Sequence, residues 1–98
     1  MIEEMSLDEE ESKRQLIETA VLGRQVEDWL KTDIGQYLLA RAEERGRIAT
    51  EKLKVAHVWR KNHIRALQAE IWKCESFREW LNDAMTEGKL ALDELEDR

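Results

Sequence analysis

From Ile34 to Met85 the chain runs for fifty-two residues without proline, and apolar side chains recur every three or four positions along the whole stretch. That spacing puts them on one side of an α-helix. After the opening Gly35 only Gly46 interrupts it. Proline is absent from the entire chain and only four glycines occur, which is too little punctuation for a β-rich fold with many tight turns. The predicted fold class is all-α.

Ahead of this stretch a first helix is expected at about residues 7–31. Ser6 with Glu9 makes a capping-box pattern, and Asp8 to Glu11 put negative charge on the positive end of the helix dipole. Its apolar residues, among them Leu16, Ile17, Val21, Leu22, Val26 and Trp29, cover more than one face, so this helix requires more than one neighbour. Gly23 would let one of them come close. Thr32-Asp33 then breaks the pattern, and either residue can cap the second helix; Asp33 with Gln36 forms a second capping box.

Whether residues 34–86 are one helix or two decides the architecture. Continuing the heptad through the middle would put Arg60 and His63 in the apolar seam. An unbroken helix of about 78 Å would also outrun the first helix by a factor of about two, leaving half its stripe uncovered. A turn near His57 to Asn62 instead yields helices at about 7–31, 34–56 and 62–86, matched in length and able to form an antiparallel three-helix bundle or helical hairpin. In that form Asn62 caps the third helix, Thr86-Glu87-Gly88 stops it, and a short helical turn comes after. The alternative is the first helix plus one continuous helix over 34–86 in a coiled-coil-like dimer. Either way residues 1–98 read as a single helical domain with residues 1–5 and 96–98 frayed.

Charge divides along the chain. The total is -6, but residues 1–33 carry -6, residues 34–73 carry +5 and residues 74–98 carry -5. An acidic–basic–acidic chain can pair with itself, so a homo-oligomer is expected. Cys74 is the only cysteine, which rules out a disulfide within the chain. No apolar run approaches the ~20 residues of a membrane span and the N-terminus is acidic, so no membrane partner is expected and a reducing intracellular compartment is the expected location.

Two places stand out as contact sites. Residues 52–65 hold Lys52, Lys54, Arg60, Lys61 and Arg65, with His57, His63, Trp59 and no acid. Bases neutralise phosphates and an indole can stack on a base, so a nucleic acid or an acidic partner fits; neutralisation of the chain's own acidic ends is the plainer use. Trp72 points away from the Leu67, Ile71 and Cys74 stripe, among Arg65, Ser76 and Glu79. A large aromatic on a polar face marks a protein contact unless it lies flat over neighbouring aliphatic stems. Trp29, Tyr37 and Trp80 read as bundle-edge residues. His57 and His63 are six apart, too far for a helical ligand pair, and Cys74 belongs to the apolar stripe. No metal, cofactor or catalytic residue is expected.

Three stretches carry a resemblance: Val26-Glu27-Asp28-Trp29-Leu30; Ile34-Gly35-Gln36-Tyr37-Leu38-Leu39-Ala40-Arg41-Ala42-Glu43-Glu44; and Ala66 through Leu95, with Ile71, Glu75-Ser76, Trp80-Leu81, Ala84, Gly88 and Ala91-Leu92. Together they resemble a family of small, largely uncharacterised helical proteins of tailed bacteriophages and prophages. Relatives tend to carry proline and aspartate, which implies a loop in them, where this chain has Val55-Ala56-His57-Val58-Trp59-Arg60-Lys61; that departure leaves both the turn and a longer continuous helix open for this chain. The residues read as a non-enzymatic protein that works by helix–helix contact, with itself among its partners. The resemblance brings no activity for individual residues but implies a phage or prophage protein in virion assembly or an accessory factor acting on another phage or host protein, located in the host cytoplasm or the virion. A nucleic-acid-binding accessory protein using residues 52–65 and an inhibitor of a host protein are the alternatives.

Overall fold

The computed structural model describes residues 2–98, with side chains from residue 7 onward. It is all-α: three helices, α1 (Ile2–Leu30), α2 (Asp33–Lys54) and α3 (Lys61–Glu96), with no strand among the described residues. Helix α1 begins ahead of the expected residue 7, so Ser6 lies within the helix instead of capping it. The Ser6 side chain and residue 1 of the expected frayed start lie outside the described residues.

Between α1 and α2 the break is short. Thr32 has extended backbone and its Oγ1 accepts from the Gly35 amide at 3.0 Å, the usual N-cap bond for a first-turn donor. Asp33 is therefore the first helical residue. Gln36 does not close the expected capping box with it; its Nε2 donates to the Leu30 carbonyl across the break.

The second break falls at residues 55–60, which excludes the continuous helix. No glycine or proline makes this turn. Val55, His57, Val58 and Trp59 are all weak helix formers, and the chain turns on short-range bonds: Val55 N to Lys52 O at 3.3 Å, Ala56 N to Leu53 O at 3.3 Å, and Arg60 N to His57 O at 3.0 Å. Helix α3 starts at Lys61, so Asn62 sits inside its first turn and is not the cap. Gly88 does not stop α3 either, and no separate C-terminal turn is formed, because the helix continues to Glu96.

The helices form two compact units: Met1–Trp29 with Leu81–Arg98, and Leu30–Trp80. In the first, α1 packs on the C-terminal part of α3. Half-buried or buried positions there have a 3-4-3 spacing, Leu16, Thr19, Gly23 and Val26 on α1 and Leu81, Ala84, Gly88 and Ala91 on α3. A Cβ added to Gly23 would lie 2.7 Å from the Ala84 carbonyl oxygen and 2.8 Å from Gly88 Cα. The two backbones touch, and only glycine leaves room for that.

In the second unit α2 and the N-terminal part of α3 form an antiparallel hairpin. Leu39, Ala42, Gly46, Ala49 and Leu53 turn toward the partner helix, whose seam holds Leu67, Ile71, Cys74 and Phe77. Ala49 and Leu67 are buried; burying the Leu67 side chain contributes about 2 kcal/mol. Arg45 reaches Glu70 at 4.0 Å across the hairpin. No large side chain is fully buried among the described residues, so both units rest on narrow seams of small residues and leucines.

Candidate functional site

The turn at 55–60 gathers the basic residues around one end of the hairpin. Lys52 and Lys54 lie in the last turn of α2, Lys61 opens α3, Arg60 precedes it, and Arg65 is one turn further on. Lys54 is ion-paired with Glu51 at 3.3 Å. Lys52, Arg60, Lys61 and Arg65 enter no ion pair among the described residues. Trp59 is stacked on His57, with ring centroids 4.6 Å apart and planes within 8°. The feature not anticipated from sequence is the apolar character of the turn itself. Val55, Val58 and Trp59 are 78%, 82% and 74% exposed.

The second surface is on the opposite side of α3 from its seam. Trp72 is exposed as its position suggested, at 65%, and Trp80, expected at a bundle edge, is its equal at 64%. Both lie on one face with Ser76 midway between them, four residues from each. Ser76, between the two tryptophans in sequence, is only 6% exposed. The Trp72-x3-Ser76-x3-Trp80 spacing was legible, but a buried serine between two exposed tryptophans was not.

Elsewhere the surface is that of solvated helices. Arg47 donates to both Glu44 carboxylate oxygens, at 2.7 and 3.1 Å. These hydrogen bonds, with the charge attraction behind them, hold the Glu44 carboxyl below its usual range and raise the Arg47 guanidinium. Shallow grooves run along the hairpin; one is lined by Leu38, Ala42, Cys74 and Phe77 together with the charged Arg41, Arg45, Glu70 and Lys73. Cys74 is half-buried and faces Gly46, whose added Cβ would be 3.3 Å from the cysteine Cβ. No group of three or more His, Cys, Asp or Glu residues able to hold a metal ion occurs among the described residues. None of their helices is long and apolar enough to cross a membrane.

No family model, curated protein or solved structure matches the chain.

Proposed function

We propose that this chain is a non-enzymatic helical interaction module that docks on a second copy of itself through the outer face of α3. The observation that carries this reading is the pair of exposed tryptophans, Trp72 and Trp80, on one helix face. Indoles supply large contact area at low entropy cost and are enriched among residues that dominate interfaces. Charge supports a second copy as the occupant. Unit Leu30–Trp80 has eleven bases against seven acids, a net +4, while Met1–Trp29 with Leu81–Arg98 has five bases against fifteen acids, a net -10. In a two-fold dimer the basic unit of each copy can meet the acidic unit of the other, and the contact is made twice. The resemblance to small helical proteins of tailed phages extends the reading to a role in virion assembly or as an accessory factor.

Sedimentation equilibrium tests it. The native chain is expected to be dimeric at high micromolar concentration, weakening as salt screens the charges. Trp72→Ala/Trp80→Ala is expected to raise the dissociation constant by about thirtyfold or more. A native chain that stays monomeric at low salt refutes the reading.

A further inference from the structure

We infer that the turn at residues 55–60 is a docking tip for an anionic lipid surface, separate from the tryptophan face of α3. Three apolar side chains fall within five residues of a non-helical turn, and each is at least 74% exposed. Within this turn only Ala56 is half-buried; Val55, Val58 and Trp59 stay exposed between the half-buried Leu53 of α2 and His63 and Ile64 of α3. Around them stand Lys52, Lys54, Arg60, Lys61 and Arg65, and no acid occurs from residue 52 to residue 65. A convex apolar tip within a basic ring suits a membrane interface: valine and indole enter the boundary between headgroups and acyl chains while the bases remain among the phosphates. Trp59 stacks on His57 within the turn, and its indole remains 74% exposed.

A nucleic acid accounts for less of this. Strand-binding surfaces spread bases along a groove and use aromatic faces, and they give Val55 and Val58 no role. A protein partner would have to supply a pocket for a protruding tip, whereas a fluid interface needs none. The chain's net negative charge does not oppose the contact. The unit that carries the tip, Leu30–Trp80, is itself basic at a net +4, and at about 0.1 M salt charges more than roughly 10 Å away are largely screened.

The test is co-sedimentation of the full chain with vesicles of phosphatidylcholine alone and of phosphatidylcholine with about one third phosphatidylglycerol, at low and high salt. Binding is expected only to the anionic vesicles at low salt. Lys61→Glu/Arg65→Glu should weaken it by well over tenfold, since each base contributes about fivefold. Val58→Asp/Trp59→Ser should abolish it; both positions are exposed turn residues, and circular dichroism checks that the helices persist. Trp72→Ala/Trp80→Ala should leave the vesicle binding in place, so loss of the dimer and loss of the tip are read separately. Three results would overturn the inference: no sedimentation with anionic vesicles at low salt, undiminished binding by Val58→Asp/Trp59→Ser, or tighter binding to DNA oligonucleotides than to the vesicles.

Discussion

The two helix pairings in this chain both rely on glycine, yet they use it differently. Where α1 meets α3, Gly23 and Gly88 face each other and the nearest atoms are backbone: the Ala84 carbonyl oxygen at 2.7 Å and Gly88 Cα at 2.8 Å from the Cβ that Gly23 lacks. Where α2 meets α3, Gly46 faces the Cys74 side chain, whose Cβ would be 3.3 Å away and Sγ 3.9 Å away. A backbone cannot step aside without moving its helix, whereas a side chain can shift by tenths of an ångström. The α1 pairing is therefore set by a single point of backbone contact, and the α2 pairing by side chains with some slack.

Substitution at the two sites should separate the cases. Gly88→Ala is expected to be the more damaging. It gains about 1 kcal/mol of helix propensity, but prying two backbones apart costs about 3 kcal/mol, for a net loss near 2 kcal/mol. Thermal unfolding monitored by circular dichroism should show a midpoint lower by about 10 °C. A midpoint at or above the native one would mean that the backbones do not meet there.

Gly46→Ala should be close to neutral, within about 0.5 kcal/mol, because the propensity gain offsets the mild crowding of Cys74. Urea titration of this variant checks it; a loss as large as that at Gly88 would erase the distinction between the pairings.

The smallest effect belongs to the exposed face of α2. Glu44 has its folded pKa lowered by Arg47, so the pair contributes stability above the ordinary glutamate value of 4.5, and that contribution fades as pH falls through the lowered folded value. Glu44→Gln should be slightly less stable than the native chain near neutral pH and indistinguishable from it in acid. A difference that grows on acidification would reverse the sign of the linkage and implicate some other carboxylate.

Glycine also marks where local reading of the sequence succeeded and where it did not. Gly23 stands in the middle of a periodic helix, where its cost relative to alanine calls for a packing reason, and a close approach was legible there. Gly88 comes after Thr86-Glu87 near the end of a stripe, the same local signal that a helix stop produces. Only the partner backbone distinguishes the two uses, and that partner is sixty-five residues away in the chain. The cap of α2 was also settled by backbone geometry: of the two residues able to supply it, Thr32 is extended and its Oγ1 accepts from the Gly35 amide, whereas Asp33 is already helical.

The contact surfaces divide in the same manner. Trp72 was legible as an outward residue from phase alone, since it lies opposite the seam whichever neighbour α3 has. The basic run around Trp59 was equally plain as composition. That Val55 and Val58 stand exposed beside it depended on the turn forming there, since a continuous helix would have given them helical faces instead.

The sequence by itself determined that this protein is all-α, which faces of its helices are apolar, and how its charge is divided, because period, propensity and ionisation are local properties. Tertiary structure decided where the long apolar stretch from Ile34 to Met85 breaks and which glycines carry a crossing. Those outcomes depend on how much seam each helix can bury against another, and that balance exists only once distant parts of the chain have met.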